Sequence, residues 1–282
     1  MVKVYIGFDW NKKRRETNTY PYVFLSAGVV WSYSHNKKLV PFKFSEQTKE
    51  IFLDSGGFSF FTKYSEYPFS VKEYVEWIHE MQKINNGKVK YVATMDYPCE
   101  PSINRKAFSS NKERIEKTVE NAIKCFKNEI PAKWIPVLQG YNLDEYVFCL
   151  NLYKKHGILT DYIAVGSMCK RSNISEIVKI VHEIKKNYKG KIHLFGLAIK
   201  ALQNKALFDM IYSCDTIGYT FASKTVEETF EKMRKLVEKI NKLVILNSRQ
   251  RTLIDVTATS CDKEKGKSNF SFICVAKLFE IM

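Results

Sequence analysis

The sequence predicts a (β/α)8 barrel, and three observations carry that prediction. Eight short runs rich in β-branched and aromatic residues recur along the chain. Amphipathic helical patterns with recognisable start signals lie between most of them. Polar residues suited to chemistry collect where the runs end, as they do in parallel α/β proteins. An open doubly wound sheet is the alternative architecture for the same alternation.

The first run, Val2–Phe8, alternates as a half-buried strand does. A short basic stretch, Lys12 to Arg15, separates it from Tyr22–Val30, and Ile51–Phe58 follows. Ser70 with Glu73 is a capping box, after which Val71, Tyr74, Val75, Ile78 and Met81 recur on one helical face until Gly87. The next runs are Tyr91–Tyr97, Trp134–Gln139 and Tyr162–Met168. Asn173 with Glu176 opens a helix whose stripe is Ile174, Ile177, Val178, Val181 and Ile184. Ile192–Ala198 and Thr216–Phe221 complete the strand set. Thr225 with Glu228 opens a long helix carrying Val226, Phe230, Met233, Val237 and Ile240. From about Asn247 the periodicity is lost, so 247–282 is expected as a C-terminal extension packed on the barrel. With no internal repeat and no Pro/Gly linker, residues 1–282 are expected to form one domain.

Composition narrows the class. The 282 residues are 45% hydrophobic and 14% aromatic, enough for a large core, which excludes intrinsic disorder. The 45 Lys+Arg against 30 Asp+Glu leave a net charge of +15, and such an excess points to a polyanion, nucleic acid first. No apolar run is long enough for a membrane span, and the N-terminus has no signal-peptide layout. The seven cysteines (99, 125, 149, 169, 214, 261 and 274) are odd in number and none shows C-x-x-C spacing. No disulfide framework and no zinc site is therefore expected. No histidine follows His193, so Cys261 and Cys274 lack metal-binding company, and the five histidines read as structural or surface residues. A cytoplasmic, reduced protein without a cofactor is expected.

The ends of the runs carry the functional content. They are Leu53-Asp54-Ser55-Gly56-Gly57-Phe58, Met95-Asp96-Tyr97-Pro98-Cys99-Glu100-Pro101 and Val137-Leu138-Gln139-Gly140. Val165-Gly166-Ser167-Met168, Phe195-Gly196-Leu197 and Cys214-Asp215-Thr216 follow. Each could be turn or cap chemistry taken singly. Together, Asp54, Asp96 and Asp215, an amide and several glycines converge on one rim.

These blocks, with Asp215-Thr216-Ile217-Gly218-Tyr219, resemble the tRNA-guanine transglycosylase superfamily over roughly residues 50–225. The Asp-Ser-Gly-Gly-aromatic block is the most specific element, and the stretch from Asp215 to Lys224 is most similar to the archaeal branch. The resemblance implies exchange of guanine in a polynucleotide for a 7-deazaguanine base such as preQ0. It makes Asp215 the nucleophile on the sugar C1′ and Asp54 the acid/base for the departing and incoming bases. An ionised carboxylate can stabilise and trap an oxocarbenium-like carbon, and a carboxyl beside it can retain a proton. The resemblance gives Asp96 the reading of guanine N1–H and the exocyclic amine, with Ser55 beside it. Gln139, Gly140, Gly166 and Ser167 fall at positions addressing the O6 side, and Phe58 and Phe195 at positions that sandwich the purine.

The chain departs from that pattern in three places. Ser167 stands where the family has a second glycine, the late cysteine-rich zinc site is missing, and the archaeal RNA-binding domains are not expected. The remaining barrel resembles the shorter relatives that modify DNA. Lys170 and Arg171, directly after a strand end, are placed to hold flanking phosphates. The partners expected are DNA or tRNA, a 7-deazaguanine base, and a second copy or partner subunit, with no membrane. The alternatives are a tRNA-guanine transglycosylase, a guanine-removing N-glycosidase, or a barrel that binds nucleic acid without activity.

Overall fold

In the computed structural model the strands run parallel around a nearly closed barrel with helices between them. The structure describes residues 2–8, 20–34, 37–103, 110–169, 171–217 and 225–264. Strands β1 (Lys3–Gly7), β2 (Tyr22–Ser26), β3 (Glu50–Asp54) and β4 (Val89–Ala93) form the first half. Strands β5 (Lys133–Ile135), β6 (Val137–Leu138), β7 (Tyr162–Val165), β8 (Lys191–Leu194) and β9 (Ser213–Thr216) form the second. Their spatial order is β5-β4-β3-β2-β1-β9-β8-β7-β6. The helices are α1 (Ala27–Tyr33), α2 (Gly57–Lys63), α3 (Val71–Ile84) and α4 (Asn111–Phe126), then α5 (Leu143–Lys155), α6 (Ile174–Asn187), α7 (Lys205–Met210) and α8 (Val226–Glu264).

β5 and β6 are one strand interrupted at Pro136, so the nine segments occupy eight barrel positions. β5 pairs with β4 and β6 with β7. The Pro136 carbonyl still accepts the Ala164 N–H at 3.0 Å. Proline has no N–H to return to the Tyr162 carbonyl in this parallel register. The Thr160 hydroxyl takes that carbonyl instead, at 2.6 Å.

Period-two alternation sorts the side chains. Tyr5, Phe24, Phe52, Ala93, Ile135, Val137, Tyr162, Ala164 and Phe195 fill the barrel interior. Val23, Leu25, Ile51, Leu53 and Val92 point out to pack with Tyr74, Trp77, Ile78 and Met81 of α3. Ile163, Val165, Ile192, Leu194 and Cys214 do the same with Ile177, Ile180, Val181 and Ile184 of α6. The expected helix starts form: Ser70 and Glu73 make the reciprocal capping box, Asn173 caps α6, and the Thr225 hydroxyl accepts the Glu228 N–H at 3.1 Å. α4 and α5 begin with capping boxes of their own, Ser110 with Glu113 and Asn142 with Glu145.

Every expected strand differs from the observed one in its bounds, and three differ most. Tyr22–Val30 and Ile51–Phe58 each divide into a strand and the helix after it, β2 then α1 and β3 then α2. An unbroken apolar run does not separate a buried strand from a buried helix, and the turn residues Ser26 and Gly56 do. Thr216–Phe221 begins where β9 ends, and its part beyond Ile217 lies outside the described residues, as does the basic stretch Lys12–Arg15. α8 runs through Asn247 to Glu264, past the point where its apolar stripe fades. Among the described residues no helix is long and apolar enough to cross a membrane.

Candidate active site

On five strands the candidate site residue follows a buried inward side chain by one alternation. Phe24 is followed by Ser26, Phe52 by Asp54, Val137 by Gln139, Ala164 by Gly166 and Ser213 by Asp215. The polar layer therefore sits on an aromatic floor at the C-terminal ends of the strands, where barrel chemistry gathers. Ser26, Asp54, Phe58, Gly196 and Asp215 line one cleft of about 800 Å³ there.

Asp54 closes β3 and meets a tight turn. Gly56 has φ 84°, and a Cβ on it would lie 2.8 Å from the Gly28 Cα, so only glycine fits. The turn aims the Gly56 N–H at Asp54 Oδ2, at 3.0 Å. Burial and the negative charges of Asp96 and Asp215 push Asp54 up to about 7, against hydrogen bonds from Ser26 and Gly56. Asp96 is pushed up to about 6 by burial, opposed by hydrogen bonds from Ser55 and Gln139. Two buried carboxylates that repel each other retain a proton between them near neutral pH.

Asp96 is the centre of a buried network. Its Oδ1 accepts from Ser55 Oγ at 2.9 Å and its Oδ2 from the Gln139 amide. The Tyr67 hydroxyl donates to the Asp96 carbonyl (2.8 Å) and accepts its N–H (3.0 Å). Gln139 lies across Gly166, where any Cβ would collide with the side-chain amide. Ser167 has φ 56°, the left-handed conformation that the glycine of the family pattern adopts without strain. Its hydroxyl lies 2.7 Å from Gln139 Oε1 and 2.9 Å from Glu100 Oε2, and accepts the Cys99 N–H at 2.9 Å. Burial pushes Glu100 up. Gly140 lets the chain pass 2.8 Å, measured from an added Cβ, from the Tyr146 N of α5.

The other expected site residues are placed differently from one another. Phe58 is half-buried in the cleft wall. Phe195 is buried in the aromatic floor, its ring 5.0 Å from His193 and 5.8 Å from Phe24. The Arg171 side chain is buried: Nε donates to the Ser167 carbonyl at 3.0 Å, and the guanidinium pairs with Glu176 and stacks 4.5 Å from the Tyr141 ring. These contacts commit it to the loop rather than to solvent. Lys170, Gly218 and Tyr219 lie outside the described residues. Two exposed cations that do line the cleft are Lys200 and Lys239. Among the described residues no group of three His, Cys, Asp or Glu could hold a metal ion, and the side chains of Cys261 and Cys274 lie outside them.

Sequence reasoning gave no site role to Ser26, Tyr67, Glu100, His193 or Lys239. Asp215 Oδ1 accepts from the Gly196 N–H at 2.9 Å and lies 3.2 Å from His193 Nε2. His193 had a usable signal: it precedes Phe195 by two in a strand run and so shares the inward face. Tyr67 and Glu100 sit in irregular segments, where no periodicity reports direction.

Residues 17–271 match the family model DpdA, deoxypurine in DNA protein A. No curated protein matches the chain. Similar solved structures include the carboxyl transferase domain from Rhizobium etli pyruvate carboxylase, with 3-bromopyruvate and with pyruvate. Each is 11% identical with a TM-score of 0.34, over 88% of this chain and 48% of that one. The chain thus spans about half the length of those structures. The family match, by contrast, runs through the barrel and includes Asp54, Asp96, Gln139 and Asp215, and the chain belongs to the DpdA family, the tRNA-guanine transglycosylase-like family for 7-deazaguanine in DNA.

Proposed function

We propose that the protein replaces guanine in DNA with a preQ0-like 7-deazaguanine through a covalent bond between Asp215 and the sugar. The observation that carries this reading is that Asp54 and Asp215 line one cleft while Asp54 is held near 7. In the first step a carboxylate oxygen of Asp215 bonds to C1′ as the C1′–N9 bond breaks, and protonated Asp54 gives its proton to the departing guanine. In the second, N9 of the incoming base attacks C1′, its proton passes to Asp54, and the ester bond to Asp215 breaks. Charge and protons return to their starting places, so the cycle needs no co-reactant.

Asp96 supports selection of the base. Each of its oxygens has one protein donor and a second lone pair to accept guanine N1–H or the exocyclic amine. A site built for those two donors rejects bases lacking them, because its buried acceptors are left unpaired. Asp96→Ala is expected to lose at least tenfold in preference for guanine over adenine, read as kcat/KM for the two free bases. Unchanged preference would remove Asp96 from recognition.

Attack on C1′ inside a duplex requires the nucleotide to be unstacked, at a cost of a few kcal/mol. Lys200 and Lys239 at the cleft favour the flanking phosphates. The test is labelling of DNA and tRNA by a 7-deazaguanine at matched guanine content across a salt series. DNA is expected to be the better acceptor, with labelling falling steeply as salt rises. Efficient labelling of tRNA with none in DNA would establish the tRNA reading instead. Release of guanine without incorporation would establish an N-glycosidase.

A further inference from the structure

We propose that His193 is a positioning residue for Asp215, the last member of a buried line Tyr162–Ser213–His193 that grips one carboxylate oxygen and leaves the other to the sugar. The proposal rests on the reading of Asp215 as nucleophile.

The imidazole is fully buried among rings: stacked on Phe24 at 6.0 Å, tilted on Phe52 at 4.7 Å, and edge-on to Phe195 at 5.0 Å and Tyr5 at 5.9 Å. A buried polar ring in such surroundings must have both nitrogens satisfied. They are. Nδ1 is 2.7 Å from Ser213 Oγ, which is 2.5 Å from the Tyr162 hydroxyl, and Nε2 is 3.2 Å from Asp215 Oδ1. His193 and Ser213 are register partners across β8 and β9, so the sheet itself fixes their separation.

Proton counting gives one arrangement. An ionised Asp215 offers only acceptors, so Nε2 must carry the hydrogen. Burial drives His193 down, which keeps the ring neutral with one N–H. Nδ1 then accepts from the Ser213 hydroxyl, whose oxygen in turn accepts from the Tyr162 hydroxyl. Each hydrogen in the line is donated once, and no proton needs to travel along it during the reaction.

The consequence for Asp215 is directional. Oδ1 receives two donors, the Gly196 N–H and the His193 N–H. The carboxylate cannot rotate without losing both, which holds Oδ2 as the attacking atom. A neutral donor does this without the full positive charge that would blunt the nucleophile. When the ester breaks in the second step, the negative charge returns to a carboxylate already bonded to both donors, which lowers the barrier to its departure.

The test compares full-length His193→Phe, which matches the surrounding rings, with His193→Gln, which keeps a terminal N–H. Steady-state exchange of labelled guanine and thermal unfolding are measured on each, with Asp215→Asn in parallel. His193→Phe is expected to lower kcat on the order of 10–100-fold with KM for the base little changed. His193→Gln is expected to regain most of that loss. Ser213→Ala is expected to cost less and to add nothing on top of His193→Phe, since both break the same line. Parental kcat in His193→Phe, equal losses in the Phe and Gln variants, or additive losses with Ser213→Ala would overturn the proposal. If His193→Phe does not fold, Ser213→Ala and Tyr162→Phe, each lacking one hydroxyl, decide the matter: parental kcat in both overturns it. Full exchange by Asp215→Asn would instead bring down the nucleophile reading and the proposal with it.

Discussion

Asp215→Asn is expected to abolish base exchange, with a loss on the order of 10⁴-fold or more, the scale at which enzymes lose a nucleophile. The amide oxygen can still face the Gly196 and His193 donors, so the strand end should keep its shape. What the amide lacks is the negative charge that attacks C1′. Incorporation of labelled guanine measures the loss, and a denaturing gel of protein with DNA measures the covalent species. The parent should give an adduct and the variant none. An adduct formed equally by both proteins would remove Asp215 from the role.

Asp54→Asn is expected to cost 10²–10⁴-fold, the usual contribution of a positioned acid or base. Its pH behaviour separates it from other damage. Because Asp54 is held near 7, the parent's exchange rate should fall as pH rises through 7 and the acid form is lost. The Asn variant should show no such limb. Stability follows with a definite sign. A carboxyl raised in the fold from 3.8 to about 7 binds its proton more tightly folded than unfolded. Its stabilising contribution is therefore present below about 4 and is lost as pH rises toward 7. Asp54→Asn should unfold at a higher temperature than the parent at pH 8, and the gain should shrink as pH is lowered through 7 toward 4. An equal gain at all pH values would show that Asp54 is not the perturbed carboxyl.

The strands were legible because barrel strands are short apolar runs, and the polar residues that end them stand one alternation past a buried inward side chain. That logic picks out Asp54, Gln139 and Asp215 from single runs, and the structure joins Ser55, Asp96, Gln139 and Ser167 into one hydrogen-bonded group. Strand ends were less legible, since Leu25-Ser26-Ala27 and Asp54-Ser55-Gly56 pass from strand to helix without an apolar break. His193 escaped notice because a lone histidine in an apolar run gains meaning only from residues across the barrel. Its partner Ser213 is 20 positions away and becomes adjacent only when β8 and β9 pair in register. Arg171 illustrates the converse. Its position after a strand end suggested an outward cation, whereas the loop folds the guanidinium back onto Glu176 and Tyr141.

The interruption at Pro136 gives the ring of strands a weak link in its cooperativity. Elsewhere each strand is tied to its neighbours by a ladder, so opening one strand disturbs two sheets of contacts. Between β6 and β7 the ladder lacks one rung, and a hydroxyl from Thr160 stands in for an amide. Local opening is therefore expected to be easiest along this line, read as the fastest amide exchange among the strands at β6 and β7. Gln139 lies three residues beyond Pro136 on the same strand line, while Asp54 on β3 stands two strands from β5 on one flank and Asp215 on β9 two strands from β7 on the other. On the roles proposed above, the break therefore lies closer to Gln139, which addresses the base, than to the two carboxylates proposed for the chemistry.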